Sequence, residues 1–304
     1  LRKVTAPIED KHVHPSKSRE FPWDCECDRD LLSFSEDSFV FAKGITWPPE
    51  QPGFLDLFSG NMGFARAAIN MGAPWVLTLD WNDGPHCDLL KADLRSKLER
   101  MLRGGVFIHL SAAPVCASFS RAITPAIRNH IYPKGVPGMG PITFNKLQEG
   151  NSHLSWICSL IRICILKGIH YWLENPDSSH MWYQPEILTL PNNACQRFYR
   201  VDFCAFKTPW RKRSRFLTSG RLANTKKLCT RDHRHIVLRG RSSRHGKCWT
   251  KVAQAYPTGL CAMLAWSACA DTGLLRNRHV TIGEVAKCCG NRIGEASHPG
   301  PRRP

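Results

Sequence analysis

From Gly53 onward, short apolar runs alternate with segments of helical composition, and this alternation limits the fold more than any other feature of the sequence. Phe54-Leu55-Asp56-Leu57-Phe58 is a short apolar run closed by Ser59-Gly60, and Gly63-Phe64-Ala65-Arg66-Ala67-Ala68-Ile69 follows with a composition that favours helix. Trp75–Asp80, Val106–Leu110 and Ile169–Leu173 then read as strands, and Leu94–Leu102 and Ser152–Leu166 as helices. Buried strands interleaved with helices predict a doubly wound, mostly parallel α/β sheet. Further strands are expected at Arg197–Phe203 and Arg215–Thr218, with a closing helix over Val252–Ala270 interrupted at Pro257. Ser111 to Asn151 is rich in Pro and Gly and predicts a long loop, the kind of connection that serves as a lid or binding loop. No internal repeat is visible.

Texture divides the 304 residues further. Residues 1–52 mix charge, Pro and scattered aromatics, and read as an N-terminal extension ending in a linker at Trp47-Pro48-Pro49 and Gln51-Pro52-Gly53. Residues 53–218 form the expected core, 219–250 a short basic insert rich in Cys and His, 251–285 the closing helix and 286–304 a flexible tail.

Charge is distributed unevenly. Lys and Arg number 42 against 25 Asp and Glu, a net +17, yet residues 1–110 hold 13 basic against 16 acidic side chains. Residues 201–250 hold 14 basic side chains against two acids, Asp202 and Asp232. A regional basic excess is what a surface facing phosphates requires, so nucleic acid is the expected partner. The 14 cysteines sit in a chain too long for a small disulfide scaffold, and no basic-then-apolar leader opens it. Reduced thiols and an intracellular location are expected, nuclear for a eukaryotic source. The apolar stretch near Trp156–Leu166 is broken by Arg162 and falls short of the about 20 residues a membrane span needs. No membrane partner is expected.

Two features of the first strand-turn-helix unit point to a nucleotide-like ligand. Gly60 and Gly63 supply a turn that lets a ligand approach the backbone, and Asp80 follows Gly60 by 20 residues, the offset of a carboxylate that holds ribose hydroxyls. Gly-x-x-Gly lacks the close first pair of the dinucleotide fingerprint, and an ordinary α/β turn looks similar.

Asp56-Leu57-Phe58-Ser59-Gly60-Asn61-Met62-Gly63-Phe64 resembles the first motif of the cytosine-C5 DNA methyltransferases, whose loop wraps S-adenosylmethionine. Asp80-Trp81 is similar to that family's acid-plus-aromatic pair for ribose and adenine, and Asp93 stands where the family has an acid near the adenine amino group. Ala113-Pro114-Val115-Cys116-Ala117-Ser118-Phe119-Ser120 resembles the Pro-Pro-Cys-x-x-Phe-Ser catalytic loop, and Glu174-Asn175-Pro176 the Glu-Asn-Val tripeptide. Lys207–Thr218 is similar to the Gln-x-Arg-x-Arg strand, with Arg211 at the glutamine position and Arg213 and Arg215 as the matched arginines. The likeness runs from Phe54 to Thr218 and lies in the combination and order of the motifs.

The resemblance implies the class I S-adenosylmethionine-dependent methyltransferase (Rossmann-like) version of the sheet, and a cofactor site built from Asp56, Phe58, Gly60, Gly63, Asp80, Trp81, Asp93 and Pro114. It implies Cys116 as the nucleophile. Cytosine C5 is a poor nucleophile until a thiolate adds at C6, so the reaction needs such a cysteine. Glu174 would share a proton with N3 as general acid, and Arg213 and Arg215 would brace the extruded base. Ser120, Arg121, Arg211 and Lys212 would face nucleic acid, with DNA favoured over RNA by the family's majority behaviour.

The sequence departs from the family at Met62, a usual glycine, at Val115, a usual proline, and beyond Thr218. There neither a sizeable target-recognition region nor a closing Gly-Asn-x-x-Pro segment is recognisable, since Gly290-Asn291 continues as Arg-Ile-Gly. The short insert instead carries Cys229-x-x-x-His233-x-His235 and His245-x-x-Cys248, so Cys229, His233, His235 and Cys248 are the expected ligands of a zinc ion. Cys25-x-Cys27 offers only two ligands. Besides a DNA (cytosine-5-)-methyltransferase, an RNA methyltransferase of the same chemistry and a decayed, nucleic-acid-binding relative tied to a mobile element or recombination are alternatives. A metabolic oxidoreductase lacks its phosphate-binding glycines.

Overall fold

A computed structural model describes residues 25–45, 47–191, 197–222, 227–243 and 245–275. The tail 286–304 with Gly290-Asn291, residues 1–24 of the extension and the side chain of Cys25 lie outside the described residues. In chain order the elements are α1 (Cys25–Leu32), β1 (Phe39–Phe41), β2 (Gly53–Leu57), α2 (Gly63–Met71), β3 (Trp75–Leu79), α3 (Ala92–Arg103) and β4 (Phe107–Ala112). There follow α4 (Pro141–Lys167), β5 (His170–Pro176), α5 (Pro185–Leu188), β6 (Arg197–Asp202), β7 (Arg213–Thr218), α6 (Trp249–Val252) and α7 (Thr258–Asp271), with single 3-10 turns between several of them.

The strands form one seven-stranded sheet in the order β1-β3-β2-β4-β5-β7-β6. β3, β2, β4 and β5 run parallel, whereas β7 is antiparallel to both its neighbours, and β1 is antiparallel to β3. Every residue of β2 and of β3 is buried, as expected of parallel strands covered on both faces. Alternation divides their side chains between two cores. Leu55, Leu57, Trp75, Leu77, Phe107 and Leu110 join the core that carries α1, α3 and α4. Phe54, Val76, Trp172 and Phe216 join the one that carries α2 and α7. The α/β layering expected from the sequence is present, and the sheet expected to be mostly parallel is a mixed one.

Two expectations are corrected. Part of the extension belongs to the sheet: Phe39, Val40 and Phe41 pair with Leu77, Val76 and Trp75. α1 is fastened to α3 by Arg100, whose guanidinium donates to both oxygens of Asp30 at 2.9 and 3.0 Å. The long loop after β4 is shorter than expected, because α4 begins at Pro141, 11 residues before Ser152. Proline suits that first helical position because its missing N–H has no partner there anyway. The closing helix is interrupted at Pro257 as expected: α6 ends at Val252, and Pro257 is the N-terminal cap of α7. Among the described residues ten cysteines are free thiols, and no helix is long and apolar enough to cross a membrane.

Candidate active site at the carboxyl edge of the sheet

Four parallel strands deliver their following loops to one edge. β2 leads into Phe58–Gly60, β3 into Asp80-Trp81, β4 into Ala113–Cys116, and β5 ends in Glu174-Asn175-Pro176. Antiparallel β7 brings its first residues, Arg213 to Arg215, to the same edge, with Pro176 opposite Ser214 and Asn175 opposite Arg215. The sequence-predicted residues therefore converge where α/β sheets commonly bind ligands. A cavity of about 520 Å³ lined by Arg103, Gly104, Lys167, His170 and Asp271 lies at the opposite, amino-terminal ends of β4 and β5. It contains none of them.

The glycine turn is tight and partly strained. Phe58, Gly60 and Met62 all adopt left-handed backbone conformations, with φ of 59°, 56° and 58°. Only glycine takes such angles freely, so Phe58 and Met62 store strain of the kind that gathers at ligand clamps. Gly60 donates its N–H to Asp80 Oδ2 at 3.0 Å, and the other Asp80 oxygen accepts from Asn82 N at 2.9 Å. Asp80 thus fixes the turn to the end of β3, a structural duty beside the predicted ribose contact. Gly63 is needed for a different reason from the one expected: a Cβ there would press on Cys261 Sγ of α7 at 2.9 Å. Phe58 sets its ring edge-on against His153 at 5.1 Å, while Asp93 is exposed in the first turn of α3.

Several observations suit a bound nucleoside at this turn. Trp81 is 64% exposed beside Asp80, a Cβ on Gly60 would meet open space, and Ser59 Oγ is buried without a partner. Asp56, buried in β2, accepts from Ser111 Oγ at 2.7 Å. Burial, opposed by that hydrogen bond and aided by nearby Asp80, pushes its carboxyl up to about 7.

Cys116 and Glu174 are brought together with two residues for which the sequence reading had no such role. Lys212 Nζ stands 3.9 Å from Glu174 Oε1, and the Tyr256 hydroxyl donates to Glu174 Oε2 at 3.1 Å. Glu174 is buried, and its Oε1 has no hydrogen-bond donor. Pro114, also buried, is held by Asn175, whose Nδ2 donates to its carbonyl at 3.0 Å and so ties the Cys116 loop to the strand carrying Glu174. Burial pushes the Cys116 thiol above its ordinary value; Lys212 pulls it down and Glu174 pushes it up. Tyr256 stays protonated, because burial and the Glu174 carboxylate both hold its phenol well above the ordinary value.

These opposing charges give a test without any substrate. In the unliganded protein Cys116 is a thiol at pH 7, and its alkylation by iodoacetamide rises with pH as the thiolate forms. Lys212→Met is expected to move that profile to higher pH and Glu174→Gln to lower pH. Mass-spectrometric rate profiles of the Cys116 peptide read both shifts, and equal profiles in all three proteins contradict the arrangement.

The loop after Cys116 is ordered by Arg128, a fully buried arginine absent from the sequence reading. Its Nε donates to Ser118 O at 2.8 Å, and its Nη1 to both Pro133 O at 2.8 Å and Asn151 Oδ1 at 2.7 Å. The guanidinium also lies 4.2 Å from the centre of the Phe119 ring. A Cβ on Gly150 would overlap the Ser118 side chain, so this close approach of α4 requires glycine. Ser120 Oγ accepts from Ala122 N at 3.2 Å, and exposed Arg121 lies over Tyr183.

The matched arginines are placed differently from the resemblance. Lys212, not Arg213 or Arg215, stands beside Glu174. Arg213 donates from Nε and a terminal nitrogen to the two oxygens of Asp202 at 3.0 and 2.7 Å, and Arg211 adds a third bond at 3.1 Å. Arg215 donates to Asp177 Oδ1 at 2.7 Å and lies over Trp182. Strand alternation explains the difference: Arg213 and Arg215 share a face with Leu217, which belongs to the α4 core, whereas Phe216 faces α7 and Tyr256.

Below β7 the Cys/His insert forms a compact cluster. Cys204, Cys229, His233 and His235 have ligand atoms within 4.8 Å of one another. Cys248 is not in it, contrary to expectation. It is exposed, and its backbone pairs with Arg241 in an isolated antiparallel bridge. Cys204, which follows β6, takes its place. No protein-family model and no curated protein matches this chain.

Proposed function

We propose that this protein is an S-adenosylmethionine-dependent methyltransferase acting on C5 of cytosine in nucleic acid, DNA in preference to RNA. One observation carries the reading: a thiol, a buried carboxylate with a hydrogen-bond-free oxygen and a lysine meet beside a glycine turn with an exposed indole. The antiparallel β7 also has no counterpart in an all-parallel dinucleotide-binding sheet, which weakens the oxidoreductase alternative.

Asp56, Ser59, Gly60, Asp80 and Trp81 would hold the cofactor, which supplies an electrophilic methyl group on sulfonium sulfur. Base extrusion is required because the reacting face is shielded in a duplex. Cys116 Sγ forms a bond to C6, the C5–C6 electron pair moves into the ring, and N3 takes a proton held between it and Glu174. Lys212 favours the Cys116 thiolate and stands 3.9 Å from Glu174 Oε1, so one positive charge lies beside both groups before and after addition. Tyr256 keeps Glu174 aimed by occupying its other oxygen. The electron pair moved into the ring would bond C5 to the methyl group the cofactor gives up, leaving a neutral thioether. The C5 hydrogen then leaves as a proton to water, and its electrons rebuild the C5–C6 double bond and expel the Cys116 thiolate as the N3 proton returns toward Glu174.

The experiment is incubation of wild type with methyl-labelled S-adenosylmethionine and, separately, DNA and RNA. Label at C5 of cytosine in DNA is the expected result, and label confined to RNA replaces the substrate while keeping the chemistry. No transfer to either overturns the reading in favour of a nucleic-acid-binding remnant. Met62 in the turn and an Asp80 already engaged by the protein favour that second reading.

A further inference from the structure

We propose that Cys204, Cys229, His233 and His235 bind one zinc ion in a closed tetrahedral site, and that this ion folds the basic loop 227–241 against the start of β7. The inference stands whether or not Cys116 is a nucleophile. Two thiolates at about 2.3 Å and two imidazoles at about 2.0–2.1 Å around a tetrahedral ion place sulfur and nitrogen about 3.6 Å apart. Cys229 Sγ lies 3.4 Å from His235 Nε2 and 3.9 Å from His233 Nε2. The same ring nitrogen of both histidines therefore faces the thiol.

The surroundings of the cluster match those of a metal centre. Asp232 Oδ1 is 2.6 Å from His233 Nδ1, the arrangement in which Nδ1–H donates to the carboxylate and Nε2 is left bare for a metal. Arg231, left-handed at φ 65°, donates its N–H to Cys229 Sγ at 3.3 Å and so fixes the sulfur's position in the cluster. Two thiolates balance the 2+ charge, so the ion adds no net positive charge to a strongly basic segment. Four protein ligands leave no open position, which makes the site structural and not catalytic.

The loop has reason to need such a staple. Most of residues 228–241 are exposed, including Arg231, Arg234, Arg239 and Arg241, so little apolar burial holds them. Their attachments to the body are few but well placed. Ile236 N donates to Pro209 O at 2.7 Å and Cys229 N to Asp202 Oδ2 at 2.9 Å, both next to the Arg211–Arg213 stretch. Fixing the loop would hold its arginines beside the Arg211–Arg213 stretch, a surface suited to a phosphate backbone.

The test uses the full chain. Purified from zinc-supplemented medium, it is expected to carry about one equivalent of zinc. Cobalt substitution should give the visible absorption of tetrahedral S2N2 ligation. Cys204→Ser should lose the metal and Cys248→Ser should keep it. Asp232→Asn should weaken zinc binding by about 10–100-fold. Should Cys204→Ser fail to fold, wild type still decides: Cys204 and Cys229 should resist alkylation until a chelator is added, while exposed Cys248 reacts throughout. Zinc far below one equivalent, or identical labelling of Cys204 and Cys229 with and without chelator, overturns the site.

Discussion

A Cys116→Ser variant is expected to retain nucleic-acid binding, to form no covalent adduct with DNA containing 5-fluorocytosine, and to lose methyl transfer by a factor on the order of 10³ or more. The serine hydroxyl remains protonated far above the pH at which a thiol ionises, so the attack on C6 disappears while shape is kept. The fluorine analogue is informative because C5 then carries no hydrogen that can leave as a proton, and the Cys116–C6 bond persists. Glu174→Gln keeps the side chain's size but removes its acid, for a loss of about 10²–10⁴-fold, the range of general acid–base catalysis. Binding measured by filter retention separates these effects from unfolding. An adduct in Cys116→Ser, or none in wild type with cofactor present, removes Cys116 from the chemistry.

Much of this edge was legible because its parts are local. Phe54–Phe58 with Ser59-Gly60 is a strand and turn readable from adjacent residues, and the 20-residue offset of Asp80 from Gly60 returns as a direct hydrogen bond between them. Cys116 and Glu174 came from short motifs that resemble those of a known family, each contained in a few adjacent residues. What escaped depends on contacts distant in sequence. β1 is only three residues long and is a strand because β3 offers it an edge. The first turns of α4 include Asn145, Gly150 and Asn151, weak helix formers, and the last two are positioned by Ser118 and Arg128 instead of by periodicity. Tyr256 reaches Glu174 across 82 residues, and Cys204 joins the Cys/His cluster from the far side of β7. Spacing favoured Cys248 over Cys204 because ligand spacing is visible only within one segment.

Asp202 shows how much depends on one such distant contact, and Asp202→Ala is expected to be the most destabilising single substitution around β7. Its side chain is fully buried and accepts from Arg211, from two nitrogens of Arg213 and from the backbone of Cys229. Burial alone would raise its carboxyl, but the Arg213, Cys229 and Arg211 bonds outweigh that and hold it below the ordinary carboxylate value. Breaking a buried pair by removing one partner costs about 3–5 kcal/mol, and the low end applies because both arginines are about one-third exposed and can recover some water. For a chain of this size that is a fall in melting temperature of roughly 5–10 °C. By contrast, Asp177→Ala breaks more accessible pairs with Arg200 and Arg215 and should cost about 1 kcal/mol or less. The sign of the pH dependence follows from the depressed carboxyl. Its contribution is complete above the unfolded value near 4 and is lost as pH falls through the lower folded value, so acid should erase the difference between wild type and Asp202→Ala. Thermal melts of the two proteins from pH 7 to pH 3 measure both statements. A difference below about 1 kcal/mol at pH 7 would mean that the guanidinium groups find water as readily as they find Asp202, and that the hairpin of β6 and β7 is held by its apolar face alone.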